Sequence, residues 1–245
     1  MTVAVGGSPI GGAALGILML DARFPRVPGD MGNGDTWPFP VLYEIVRGAT
    51  PERVVRRRAE GLDGAFLDAA RRLVDRGATA LTTVCGFLSF FQSELAAHAG
   101  VPVASSTLMQ VAALDRMLPP GKRTGVVTVS RESLWDDHFT TVGARADTPV
   151  EGTEGGRELT RVLIGNEPWL DIAAAEADVI AAARRLKARC PEVGAIVLEC
   201  ANMAPYAAAV RRETALPVHD IFSFISWVHS GFADAHRPPM AEARD

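Results

Sequence analysis

The chain has 245 residues, of which 48% are hydrophobic and 22% are charged, a balance typical of a globular protein with one large domain or two small ones. No run of roughly 18 strongly apolar residues predicts a membrane helix. The net charge of −4 provides no basic surface for a nucleic acid. We therefore expect neither a membrane nor a nucleic acid as a partner.

Three cysteines occur in the chain, at Cys85, Cys190 and Cys200, and this small, odd number argues against a disulfide framework. Free thiols are typical of reducing compartments, so the sequence predicts a cytoplasmic location. The first 20 residues are apolar, but no basic residue precedes Arg23. Because a secretory signal peptide begins with a basic region, we do not expect one here.

The first half of the chain alternates between strand-like and helix-like segments. Short stretches rich in Val, Leu and Thr are typical of buried strands, whereas Thr50 followed by Pro51 is typical of a helix start. In chain order, the pattern predicts a strand at 16–20, a helix from Pro51 to Gly77, a strand at 79–84, a helix after Cys85 and a strand at 101–104.

The same order of elements starts again in the second half, with strands predicted at 124–129, 194–199 and 216–219 and a helix at 171–189. Each half also has a cysteine 17 residues before a proline, Cys85 before Pro102 and Cys200 before Pro217. This repetition predicts an α/β fold with two pseudo-symmetric parallel-sheet halves and an active site between them.

We place the boundary between the halves in the segment PPGKR (119–123), where prolines and a glycine interrupt the pattern. The predicted first half comprises residues 1–118 together with the C-terminal segment 221–245. The predicted second half comprises residues 119–220.

Cys85 and Cys200 each follow a predicted strand directly. Ligands of open α/β sheets bind at the carboxyl ends of the strands, so the two thiols are expected to face one another across a site. The helix that follows each cysteine directs its N-terminus towards the sulfur, which we expect to lower the thiol pKa. Two such thiols can remove a proton from one face of a carbon acid and return a proton to the other, which inverts the carbon.

Polar and backbone groups near these cysteines are the predicted substrate contacts, because they can stabilise the charge that develops when a proton is removed. The candidates are Thr83, Gly86 and Phe87 around the first cysteine, Ala201 and Asn202 around the second, and Thr128 and Ser130 at the end of the strand that opens the second half. Asn33, in the Gly-rich segment 29–44, is a further candidate, for which an ordinary turn role is the alternative.

Packing and zinc binding are alternative uses of such cysteines. A buried cysteine is commonly a core residue, but the symmetric placement of Cys85 and Cys200 favours catalysis. No CxxC motif and no histidine at ligand spacing accompanies either cysteine, so we expect no metal site. Cys190 has no counterpart in the other half and is predicted to be structural.

The segments TTVCGF around Cys85 and LECANM around Cys200, 115 residues apart, resemble the aspartate/glutamate racemase superfamily. That superfamily includes hydantoin racemases, arylmalonate decarboxylases and maleate isomerases. The resemblance implies a cofactor-independent enzyme in which these two cysteines act on the substrate, and it implies a homo-oligomer. Asp21 resembles the acidic residue that ends the first strand of the family, which implies a substrate contact there.

The chain departs from glutamate racemases directly after both cysteines. Those enzymes have Asn-Thr after the first cysteine and Thr-His after the second, whereas this chain has Gly86-Phe87 and Ala201-Asn202. Since those groups help to recognise an amino acid, glutamate and aspartate are not the expected substrates.

The sequence therefore predicts an isomerase, a racemase or epimerase that inverts a carbon centre of a small carboxylate or amino-acid-like substrate with two cysteine bases. The alternatives are a single-cysteine decarboxylase, a cis-trans isomerase of small dicarboxylates, and a non-catalytic ligand-binding protein of the same fold.

Overall fold

The computed structural model describes residues 14–232, which form two four-stranded parallel sheets covered by helices. The strands of the first sheet are β1 (Ala14–Leu20), β2 (Val41–Val46), β3 (Ala78–Thr83) and β4 (Val103–Ala104). Those of the second are β5 (Arg123–Thr128), β6 (Val150–Gly152), β7 (Val193–Leu198) and β8 (Val218–His219). The sheet orders, β2-β1-β3-β4 and β6-β5-β7-β8, are the same, which confirms the predicted α/β fold with two similar halves.

The connections between the strands are mostly helical. The α-helices within residues 14–232 are α1 (Pro51–Arg56), α2 (Asp63–Asp75), α3 (Gln92–Ala99), α4 (Val111–Met117), α5 (Asp136–Thr140), α6 (Leu159–Gly165), α7 (Ile172–Arg189), α8 (Ala207–Thr214) and α9 (Ile221–Ser230). In the same part of the chain, 3₁₀ helices occur at Gly86–Phe91, Thr107–Gln110 and Ala201–Tyr206.

Local sequence explains where the main elements begin. Every residue of β1 is buried, as expected for a continuous apolar run in the middle of a parallel sheet. The Thr50 side chain accepts a hydrogen bond from the N–H of Arg53 at the start of α1, and Asp171 accepts one from Ala174 at the start of α7. These caps fix where the two helices begin.

The structure differs from the predicted elements in three places. The helix predicted from Pro51 to Gly77 is divided in two, because Arg58 and Ala59 adopt positive φ angles of 53° and 52°. Strand β2 is absent from the predicted elements; it lies at a sheet edge, where Leu42 and Val46 are buried and its other residues are partly or fully exposed. Strand β6 has three residues, too few to give a period-two pattern.

Contacts between the two halves bring their carboxyl-end loops together. Helix α1 packs against α6, and the 3₁₀ helix Gly86–Phe91 packs against α5. The hydroxyl of Thr107 donates a hydrogen bond to the carbonyl of Glu199 at 3.0 Å, which joins the end of β7 to the first half. The boundary at 119–123 stays a prediction, and residues 1–13 and 233–245 of the predicted first half lie outside the described residues.

Within residues 14–232, no helix has both the length and the hydropathy needed to cross a membrane. The cytoplasmic location stays a prediction.

Candidate active site

The two cysteines occupy equivalent places in the two halves. Cys85 follows β3 and Cys200 follows β7, which are third in their respective sheet orders. Each cysteine precedes a six-residue 3₁₀ helix, and an eight-residue α-helix follows directly in both cases. Both thiols are free and buried. The repeat inferred from the sequence therefore extends to the backbone that positions each sulfur.

Both thiols line a single small cavity of about 20 Å³ between the halves. Its wall is mostly apolar, with Leu20 and Val55 from the first half and Leu163 and Ile164 from the second. A volume of this size holds about one water molecule. The cavity must therefore widen before it can hold a substrate.

Arg26 is the cationic residue among those that line this cavity. Its guanidinium lies 4.5 Å from the centroid of the Phe24 ring, and its Nη1 donates a hydrogen bond to Asp30 Oδ1 at 3.1 Å. The Asn33 side chain donates to the Arg26 carbonyl at 2.8 Å and so holds the backbone at this point. A guanidinium has five N–H donors, so this arrangement leaves donors for a carboxylate ligand.

A chain of hydrogen bonds joins Arg26 in the first half to Cys200 in the second. The buried carboxylate of Asp30 accepts from Arg26 through Oδ1 and from the amide nitrogen of Asn202 through Oδ2. This contact turns the amide oxygen of Asn202 towards Cys200, whose S–H donates to it at 3.4 Å. Burial raises the pKa of Asp30, and the Arg26 charge lowers it. The arrangement holds Cys200 as a thiol.

Glu199 is a buried carboxyl between the two cysteine turns. It precedes Cys200 in the chain, and its Oε2 accepts a hydrogen bond from the Thr128 hydroxyl at 2.8 Å. The N–H groups of Gly86 and Phe87 are directed towards this carboxyl and lower its pKa, although no hydrogen bond of normal geometry reaches Oε1. Burial is the larger effect and raises the pKa of Glu199 to about 7.

The predicted lowering of the thiol pKa values is wrong. Burial is the largest effect on both cysteines and raises the pKa of each, and the Glu199 charge raises both further. The helix that follows each cysteine is a short 3₁₀ helix, and the first N–H groups after Cys85 face Glu199 as well as the sulfur. Arg26 lowers the pKa of Cys85, whereas Asp30 raises that of Cys200.

Several of the predicted substrate contacts do not line the cavity but bind groups next to the cysteines. Thr83 donates a hydrogen bond to the Ser105 carbonyl at 2.7 Å and accepts one from the N–H of Cys85 at 3.3 Å. Thr128 binds Glu199, and the buried Phe87 ring packs edge-on against His138. Asn202 is the predicted contact, besides the two cysteines, that lies in the cavity wall.

Other predicted contacts lie outside the cavity wall. Asp21 accepts a hydrogen bond from the Gly48 N–H at 3.0 Å and pairs with Arg47, so it holds the turn after β2. The Ser130 hydroxyl donates to Ser133 at 3.0 Å. Asn33 holds the loop that carries Arg26, and Ala201 is a buried methyl group at the start of a 3₁₀ helix.

Sequence reasoning missed Arg26, Asp30 and Glu199. Arg26 and Asp30 lie in the connection between β1 and β2, which has no periodic pattern, so their approach to a cysteine of the other half could not be read from spacing. Glu199 could have been identified from the sequence, because it directly follows a buried apolar strand. Burial of a charged group is unfavourable, so a glutamate in such a place indicates a functional role.

Comparison with solved structures identifies the fold. An allantoin racemase from Klebsiella pneumoniae superposes with a TM-score of 0.61 at 18% identity, covering 91% of this chain and 90% of that chain. An arylmalonate decarboxylase variant superposes with a TM-score of 0.60 at 17% identity, covering 91% and 94%. The chain has the fold of the aspartate/glutamate racemase superfamily. At these identities, the likeness establishes the fold alone.

Curated sequences point to a different reaction from the one predicted. The chain is 28% identical over 241 residues to a dimethylsulfoniopropionate lyase from Durusdinium sp. clade D, covering 92% of this chain and 80% of the relative. It is also 28% identical to dimethylsulfoniopropionate lyase 5 from Emiliania huxleyi, covering 90% of this chain but only 46% of that relative. No family model matches the chain.

These relatives correct the predicted activity. They are lyases, whereas the sequence analysis predicted an isomerase, a racemase or epimerase that inverts a carbon centre. The predicted racemase-like fold is confirmed, whereas the predicted racemase reaction is contradicted.

Proposed function

We propose that this chain is a lyase that cleaves the carbon–sulfur bond of a sulfonium carboxylate such as dimethylsulfoniopropionate. The observation that carries the proposal is the cavity between the halves, where two cysteine thiols and the Arg26 guanidinium line the same small space. The similarity to lyases of this name over nine-tenths of the chain supports the choice of reaction.

The reaction is a β-elimination that one cysteine can start. A thiolate removes a proton from the carbon next to the substrate carboxylate, and the electron pair of that C–H bond forms a double bond to the next carbon. The bond from that carbon to the positive sulfur breaks, and its electron pair leaves with the sulfur as neutral dimethyl sulfide. Acrylate remains, and the proton on the thiol later passes to water.

The lining of the cavity suits both ends of such a substrate. Arg26 provides a fixed positive charge for the carboxylate, which also stabilises the negative charge that develops there as the proton leaves. The aliphatic wall of Leu20, Leu163 and Ile164 suits the two methyl groups on the sulfur. Because the leaving group departs as a neutral sulfide, no second acid is needed to protonate it.

The direct test is to incubate the purified protein with dimethylsulfoniopropionate and measure dimethyl sulfide in the gas phase and acrylate in solution. We expect equal amounts of the two products. Release of neither product under conditions where the protein is folded contradicts the proposal, and so does a product that retains the sulfur.

Arg26→Met is expected to lower kcat/KM by about 100-fold, through both a higher KM and a lower kcat, because it removes the cation that faces the substrate carboxylate and supports the Cys85 thiolate. The same change leaves Asp30 without its cationic partner, so thermal unfolding must be followed in parallel. Arg26→Lys keeps the charge and is expected to lose less activity. Arg72→Met, on the exposed face of α2, is the matched control and should leave KM unchanged. An unchanged KM in Arg26→Met contradicts the carboxylate contact.

A further inference from the structure

We propose that Glu199 is a positioning residue whose negative charge controls how readily the Cys85 and Cys200 thiols ionise. Its effect on turnover rests on the lyase function proposed above, but its effect on the thiols does not depend on any substrate.

The position of the carboxyl between the two cysteine turns is the first argument. Glu199 is covalently next to Cys200, and its side chain crosses to the other half, where it lies against Gly86, the neighbour of Cys85. A Cβ atom built on Gly86 would lie 2.3 Å from Glu199 Oε1, so glycine is what permits this approach. One carboxyl therefore lies between the two cysteine turns, and its charge acts on both thiols.

The incomplete hydrogen bonding of the carboxyl is the second argument. Glu199 is 1% exposed, and Thr128 donates to Oε2; the backbone N–H groups of Gly86, Phe87 and Val129 face the carboxyl, but among residues 14–232 none makes a hydrogen bond of normal geometry with Oε1. A carboxylate that served only to hold the halves together would be expected to have both oxygens satisfied. A buried charge that is only partly compensated acts strongly on its neighbours, because little solvent screens it.

The other charged groups around the pair are few and oppose one another. Arg26 faces Cys85 and favours its thiolate, whereas Asp30 faces Cys200 and disfavours it. The Glu199 charge raises the pKa of each thiol, and Cys85 also raises the pKa of Cys200. Thr128 and the backbone N–H groups of the Cys85 turn face Glu199 but carry no charge. Glu199 is therefore the acid that disfavours ionisation of both cysteines.

The consequence is that Glu199 and the two thiols oppose one another's ionisation within one buried site. When Glu199 is ionised, formation of a thiolate places a second negative charge beside it, which raises the pKa of the thiol. When Glu199 is neutral, this opposition is absent. Removing the charge should therefore move thiol ionisation, and the acidic limb of the activity profile, to lower pH.

Glu199→Gln tests this, because glutamine keeps the size of the side chain and an acceptor for the Thr128 hydroxyl. Thiolate ultraviolet absorbance is followed against pH in a Cys190→Ser background, so that Cys85 and Cys200 are the thiols that titrate, and ionisation of Tyr43 and Tyr206 is followed separately at longer wavelength and subtracted. We expect the midpoint to fall by about one pH unit or more in Glu199→Gln, and Glu199→Asp to keep it near the parent value. Glu151→Gln, on β6 and paired with Arg185, is the matched control and should not move it.

An unchanged thiol midpoint in folded Glu199→Gln overturns the inference and leaves Glu199 as a structural link between the halves. If Glu199→Gln does not fold, Thr128→Val provides the second test. Loss of the hydroxyl raises the pKa of Glu199, so a larger fraction of the carboxyl is neutral near pH 7, and alkylation of the paired thiols at that pH should become faster; an unchanged rate overturns the inference. Because this titration needs no substrate, its failure is distinguishable from failure of the lyase assay.

Discussion

Cys85→Ser is expected to lower the release of dimethyl sulfide by at least about 100-fold, and Cys200→Ser by a smaller factor. An elimination needs one base, whereas an inversion needs a proton donor and an acceptor on opposite faces. The two cysteines should therefore be unequal. The charges favour Cys85 as the base, since Arg26 supports its thiolate, while Cys200 donates its proton to Asn202 and lies near Asp30.

The measurement is kcat/KM for dimethyl sulfide release by each serine variant, with circular dichroism to confirm the fold. Cys190→Ser is the matched control, because Cys190 lies at the C-terminal end of α7, away from the cavity wall, and full activity is expected. Equal and large losses in both variants would contradict the single-base elimination. Full activity in both would exclude a cysteine base altogether.

The predicted racemase and the proposed lyase share their first chemical step, which explains how the sequence led to the wrong reaction. Two thiols at symmetric strand ends indicate removal of a proton next to a carboxylate, whichever reaction follows. What happens to the resulting carbanion depends on the substrate. If the next carbon bears a sulfonium group, the carbanion can expel the neutral sulfide, which is an elimination. If that carbon bears no leaving group, the carbanion can only take up a proton again, which is racemisation.

The fold was predictable because it depends on patterns that repeat along the chain. Buried strands such as β1 and β7 are apolar runs, and the equal spacing of Cys85 and Cys200 from the strands that follow them revealed the duplication. The edge strands β2 and β6 were missed, since partial burial weakens the period-two pattern of the first and the second is very short.

The site was predictable only where its residues lie next to a cysteine in the chain. Asn202 belongs to this group. Arg26 lines the cavity from a loop of the first half, and Asp30 of the same loop contacts Asn202, a residue 172 positions away. No local pattern encodes such a contact, because it results from the packing of one half against the other.

Gly86→Ala is expected to destabilise the protein by roughly 2–4 kcal/mol and to abolish most of the activity. In the sequence, Gly86 is a departure from glutamate racemases and a predicted source of a backbone N–H. The structure gives it a steric reason. An added methyl group would lie 2.3 Å from Oε1, 2.8 Å from Cγ and 2.8 Å from the backbone carbonyl oxygen of Glu199. The halves must separate locally, which displaces Cys85 relative to Cys200.

Chemical denaturation gives the change in free energy of unfolding, with Gly64→Ala near the start of α2 as the matched control. Apart from its chain neighbours and the backbone of α2, no atom of residues 14–232 lies within 4 Å of the methyl group added at Gly64, so that change should be neutral or stabilising by up to about 1 kcal/mol. Combining Gly86→Ala with Glu199→Ala removes two of the three close contacts and should cost less than the sum of the single changes. Strict additivity would mean that Gly86 and Glu199 do not meet, and with that the proposed control of the thiols by Glu199 would lose its geometric basis.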